Sequence, residues 1–203
     1  MILVTRFSDR LRTVRIKEVL SSLASAALSV AILSSLAVTP CRADDWQKII
    51  DRSGGHDLGN EQDTQPGRAA TASDAELFTH TDGEIVFSGG TFYPNNPKDD
   101  PDLKPLDDIP RIVAVDFGPG LSHAIVLIGH SSYYGNSGTY IAILDPQHRV
   151  LWSDHAPLIR TLPTVHMGVH DFASGLAYPG WVVNRWNLKA HRWTKLTSIG
   201  TPF

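Results

Sequence analysis

Cysteine is almost missing from this chain. Its 203 residues hold one, Cys41, so no intrachain disulfide forms and a small stapled scaffold is excluded. No glycine-rich phosphate loop leads into a helix, and no serine sits in a nucleophile-elbow context. Nucleotide-triphosphate chemistry and elbow-type serine hydrolysis therefore have no carrier. Beyond Arg111 the carboxylates number four, Asp116, Asp145, Asp154 and Asp171, too scattered for a glycosidase pair to be assigned. A basic stripe is missing too. After residue 43 the chain has 12 Lys and Arg against 19 Asp and Glu, a net charge near −7, so nucleic acid is not the expected partner.

What is present begins with a basic stretch (Arg6, Arg10, Arg12, Arg15, Lys17) followed by an apolar run from Val19 to Val38. This is the pattern of an export signal. Small residues at Cys41 and Ala43 place the cleavage after Ala43, giving a signal peptide over 1–43, a periplasmic or secreted product and no membrane contact once the signal is gone. A membrane anchor is the alternative, and the six serines within the run speak against it. Cleavage there also removes the thiol.

Charge sets the next boundary. From Asp44 to Pro110 acidic residues outnumber Lys and Arg by 15 to 5, whereas from Arg111 onward basic residues lead by 7 to 4. Residues 44–75 carry little apolar periodicity after a short helix-prone "DDWQKIID", and are expected to be a disordered or loosely attached acidic segment. The folded domain is then 76–203. It opens with a hairpin, "AELFTH" and "EIVFSG" about Thr81-Asp82-Gly83. A Pro/Asp-rich loop over 94–110 follows, whose prolines forbid a ladder or a helix interior; its aspartates read as solvated rather than as a cation site.

From Arg111 the texture is that of strands. "RIVAVDF", "SHAIVLIGH", "TYIAIL" and "RVLWSD" form an antiparallel meander about the turn "DPQH", and "SHAIVLIGH" is apolar enough to be buried on both faces. "TVHMGVHDF", "GWVVNRW" and "HRWTKLTS" repeat the pattern, and no convincing helical periodicity interrupts them. The phrase "DFGPGL" at Asp116 returns as "DFASGL" at Asp171, each ahead of a hairpin whose far strand carries a tryptophan, Trp152 or Trp193. The fold class is all-β: a meander of two blade-like units making a twisted sheet or small sandwich, read as a duplication. Asp116, Gly120, Asp171 and Gly175 are expected to shape the two turns, each aspartate accepting from nearby backbone N–H groups and each glycine supplying backbone freedom.

This order of strand, aspartate turn, apolar strand and hairpin resembles the FG-GAP or VCBS-like repeats of extracellular β-propellers, over about residues 111–197. "YIAILDPQHRVLW" is similar to the hairpin of quinoprotein-type blades. In the FG-GAP family the turn binds calcium through several carboxylates. Here Gly118 and Gly120 stand at those positions, so the resemblance implies the strand order without a metal or other cofactor.

Histidine is the remaining reactive resource. His166 and His170, four apart on a strand, lie too far apart for one zinc ion, so no metal site is expected. "SHAIVLIGHSSYYGNSGTYIAILDP" is similar to the region of papain-like cysteine peptidases that carries a catalytic histidine and an aspartate before proline. That resemblance implies His123 and Asp145 as partners of Cys41 if the thiol is retained, and it makes an exported hydrolase or degenerate peptidase the alternative function. Without it no catalytic residue is assigned. The leading expectation is a non-enzymatic binding or interaction domain for a protein or carbohydrate ligand. Its contact residues would be aromatic and basic: Tyr133, Tyr134, Tyr178, Trp181, Arg185, Trp186, Arg192 and Trp193.

Overall fold

A computed structural model describes residues 43–53, 57–58, 67–129, 138–175 and 180–200. Apart from Ala43, the expected signal peptide lies outside them. A first antiparallel sheet consists of β2 (Arg68–Ala69), β5 (Arg111–Val115), β6 (Ala124–Ile128), β7 (Thr139–Leu144) and β8 (Val150–Ala156), neighbours in that order. A second holds β1 (Asp57–Leu58), β9 (Ile159–His166), β10 (Val169–Gly175), β11 (Gly180–Asn187) and β12 (Arg192–Gly200), again in sequence order. Each is a four-stranded meander with one two-residue strand added beside its first member. The all-β class follows, as the alternating and continuous apolar runs predict.

Alternation along each strand decides what faces what. On β6 and β7, Ala124, Val126, Ile128, Ile141 and Ile143 point to a shared inner core with Phe172, Trp186 and Trp193 of the second sheet. Leu127, Tyr140, Ala142 and Leu144, one residue out of phase, point the other way. That second face is covered by Leu77, Phe78, Ile85 and Phe92, so every residue of β7 is buried. The sheets therefore stack as a sandwich.

The hairpin expected about Thr81-Asp82-Gly83 is displaced. Ala75–Phe78 is a helical turn, and the two-stranded element is β3 (Val86–Ser88) with β4 (Thr91–Tyr93). Leu77 and Phe78 are adjacent and both buried. A strand would send them to opposite faces, whereas a helical turn lays both on the first sheet. Buried Thr81 closes that turn, its hydroxyl donating to the Phe78 carbonyl at 2.8 Å while accepting from Ile85 N–H at 3.2 Å.

The acidic segment also departs from expectation where it is described. Ala43–Arg52 is a helix whose Trp46 and Ile50 are buried against Leu162, Ala173, Val183 and Ile199 on the outer face of the second sheet. Trp46, Ile49 and Ile50 stand at i, i+3 and i+4, enough to make one apolar face despite the charge around them. Arg160 secures it further by donating to the carbonyl of Ile50 at 3.2 Å. Asp74, at the other end of the segment, is buried and held by a two-pronged bond from Arg68, 2.6 Å on each side. Residues 54–56 and 59–66 lie outside the described residues.

The two Asp-Phe phrases have different geometries. Asp116 follows β5 and accepts from Gly118 N–H at 2.8 Å, as a turn aspartate does. Asp171 lies inside β10, fully buried, and accepts instead from Arg185 and Thr164 at 2.9 Å each. It pins no turn. Gly118, at φ 103°, carries the left-handed conformation of the first phrase, and neither Gly120 nor Gly175 has a positive φ. A bulge displaces the pairing of β10 with β9 between His170 and Phe172. Pro163 sits in the opposed stretch, where the regular pairing is already interrupted.

Candidate functional site

Chain reversal in an antiparallel meander brings alternate turns to one end. Here those are the turns after β5 (116–123), β7 (145–149), β9 (167–168) and β11 (188–191). Gly120 N–H donates to the Gly168 carbonyl at 2.9 Å and His170 N–H to the Phe117 carbonyl at 2.7 Å, so the first turn is stitched to the third across the two sheets. Between the turns lies a cleft of about 280 Å³, walled by Pro119, Leu121, Leu151 and Trp186, with Ser122, Asp145, Gln147, Arg149 and His191 as its polar groups.

Asp145 organises this end. One carboxylate oxygen accepts from the backbone N–H of Gln147 and of Arg149, both at 2.9 Å. The other accepts from Arg149 Nε at 2.6 Å and is ion-paired with Nη2 at the same distance. Burial by itself pushes this carboxyl up, but the bonds from Arg149 backbone and side chain and from Gln147 outweigh it and hold the group below its ordinary value. Its lone pairs are committed to the turn. The side chain of Arg149 stays 73% exposed.

Histidines take the left-handed position in three of these turns: His123 (φ 60°), His148 (φ 63°) and His191 (φ 47°). That conformation costs a histidine less than a branched residue. They do not converge. His148 packs edge-on to His80 with centroids 6.2 Å apart, and among the described residues no three His, Cys, Asp or Glu side chains assemble as metal ligands. His166 and His170 lie on opposite strands of the β9–β10 hairpin rather than along one strand, because Met167 and Gly168 form a two-residue turn between them. The His170 ring is bonded to the Leu162 carbonyl at 2.8 Å.

The aromatic and basic set expected to form one contact surface is divided among layers. Tyr133, Tyr134 and Tyr178 lie outside the described residues. Trp193 and Trp186 are core residues, 2% and 8% exposed, their rings 5.1 Å apart and nearly perpendicular. Trp181, half-buried, is on the opposite face under the guanidinium of Arg160. Arg185 is on that face too, paired with Asp171 beneath the ring of Trp46. Arg192 alone of the described members is exposed at a turn. The reason is the two-residue period, which sends Trp181 and Arg185 outward and Trp186 inward on one strand.

Of the residues implied by the peptidase resemblance, Cys41 lies outside the described residues. His123 is exposed, and the Asp145 carboxylate is occupied by Arg149. Ser122, Gln147, Arg149 and His191 were not distinguished by sequence reasoning as site residues; "DPQHR" announced a turn, not the cleft it closes. Elsewhere, burial raises the Tyr140 hydroxyl to about 12, partly countered by a bond with Ser153, but Tyr140 belongs to the core under β3 and β4. Comparison with protein-family models, with curated proteins and with solved structures gives no match for this chain.

Proposed function

We propose that this chain is an exported, non-enzymatic binding domain whose ligand occupies the cleft at the turn end of the sandwich. The observation that carries the reading is the state of Asp145: the one carboxylate in the cleft is held ionised by Arg149 and two backbone N–H groups, as a brace for the turn rather than as a proton acceptor. Apolar walls with a few convergent polar groups are the usual make-up of a small-ligand site. Removal of residues 1–43 as a signal and a periplasmic or secreted location belong to the same proposal. The capping of both outer faces, by Ala43–Arg52 and by 70–92, agrees with a unit of two sheets.

Titration of the exported chain with a panel of small sugars and organic acids, followed by tryptophan fluorescence and amide NMR, tests this. Shifts confined to 119–122, 145–151, 186 and 191 are expected. Shifts elsewhere sink the cleft as the site. Intact mass addresses the hydrolase alternative: a chain beginning at Asp44 has no thiol, while a retained Cys41 with thiol-dependent peptidase activity overturns the non-enzymatic reading.

A further inference from the structure

The cleft is rich in donors and its one carboxylate is engaged by Arg149 and the turn, and from this we infer that its ligand is a small organic carboxylate, such as a sugar acid or hydroxy acid. The inference rests on the cleft being the ligand site. Asp145 already accepts three hydrogen bonds, from the N–H groups of Gln147 and Arg149 and from Arg149 Nε, and is ion-paired with Arg149 Nη2. What the lining still offers includes groups that can only donate, the Arg149 guanidinium and the Trp186 indole, beside Ser122, Gln147 and His191, which can donate or accept. Arg149 uses Nε and Nη2 on Asp145, and its Nη1 carries no bond among the described residues. Trp186 Nε1 carries none either, whereas the neighbouring Trp193 Nε1 donates to the His170 carbonyl at 3.1 Å. The Gln147 amide, the Ser122 hydroxyl and the His191 ring complete the rim.

The two donor-only groups favour a ligand that brings acceptors. Charge points the same way: Lys189 and Arg192 are exposed on the hairpin that carries His191, on a chain whose net charge is −3. A local positive rim on an acidic molecule concentrates anions, and a guanidinium with unused N–H groups binds a planar carboxylate through two parallel bonds. The apolar walls, Pro119, Leu121 and Leu151 with the indole edge of Trp186, suit the carbon skeleton of such a compound, and about 280 Å³ limits it to the size of one sugar ring or a short acid.

The experiment titrates the exported chain with galacturonate, gluconate and citrate beside galactose and glucose as neutral counterparts, with sodium sulfate as a control for general anion attraction. Saturable binding of at least one carboxylate is expected, about tenfold or more tighter than any neutral sugar and weakened by salt. Arg149→Gln should weaken it about tenfold. That change also loosens the Asp145 turn, so His191→Asn, which tolerates a positive φ, provides an independent variant with an expected loss of about threefold in a fold left intact. Galactose binding as tightly as galacturonate, or sulfate competing equally with it, overturns the carboxylate inference and leaves the cleft as the site. Carboxylate binding that neither variant weakens, or no saturable binding by any compound, overturns the cleft itself.

Discussion

Phe117 and Phe172, the phenylalanines of the two Asp-Phe phrases, meet inside the molecule with ring centroids 6.4 Å apart and no exposure to solvent. Trp193 stands edge-on to both, at 4.8 Å from Phe117 and 5.3 Å from Phe172, and Trp152 lies 4.9 Å from Phe172. The repeated phrase thus supplies one aromatic centre from both sheets. Phe117→Ala or Phe172→Ala should each cost about 3–5 kcal/mol. Because they share neighbours, the double variant should cost measurably less than the two together. Urea titrations of the set provide the check, and strict additivity would argue against a shared centre.

Deleting residues 44–53 should lower the melting temperature substantially. The helix buries Trp46 and Ile50 and shelters the Asp171–Arg185 pair. Trp46→Ala alone should cost about 3–5 kcal/mol, with a fall of roughly 2–4 °C per kcal/mol for a chain of this size. A deletion that leaves the transition in place would mean that the helix does not dock.

Asp171 is fully buried against an Arg185 that is about one quarter exposed. Asp171→Asn should cost about 3–5 kcal/mol, since it leaves a partly buried guanidinium without its counter-charge. Replacing both, as Asp171→Leu with Arg185→Met, should recover part of the loss. Denaturant midpoints of the single and double variants decide it: a double variant as unstable as Asp171→Asn would show that lost packing, not the orphaned charge, is the cause.

Acid should unfold this protein partly through Asp145. Its folded carboxyl lies below the ordinary value, so the folded chain binds the proton more weakly than the unfolded one. The stabilisation is therefore complete above about pH 4 and is lost as the pH falls through the lowered folded value. Asp74, lowered through the Arg68 fork, adds to the same trend. Asp145→Asn should destabilise the protein at neutral pH and progressively less towards pH 2. A gap between variant and wild type that stays constant with pH would contradict the ionised brace.

Gly118 and Gly83 make a matched pair of left-handed glycines, at φ 103° and 87°. A Cβ on Gly118 would sit 2.7 Å from the Gly168 carbonyl oxygen, whereas one on Gly83 meets nothing within 4 Å. Both alanine variants carry the strain of a positive φ. Gly118→Ala should cost clearly more, because it also wedges the first turn away from the β9–β10 hairpin. Equal melting temperatures for the two variants would show that the contact between turns is unimportant.

The all-β class was legible in the sequence, because period-two alternation and β-branched runs such as "SHAIVLIGH" and "TYIAIL" are local properties of a strand. So was the irregular, proline-broken stretch 94–110, for the equally local reason that proline cannot join a ladder. Partnership between distant segments was decided by tertiary structure alone. Three apolar residues in an acidic stretch say nothing of the sheet they will cover, so the helix-prone "DDWQKIID" gave no sign that it docks. One phrase, Asp-Phe, became a turn at 116 and strand interior at 171, because the register imposed by β9 and β11 overrides so short a signal. The cleft was hidden for the same reason: Ser122, Gln147, Arg149 and His191 share no spacing, and only the stacking of two sheets brings their turns to one end.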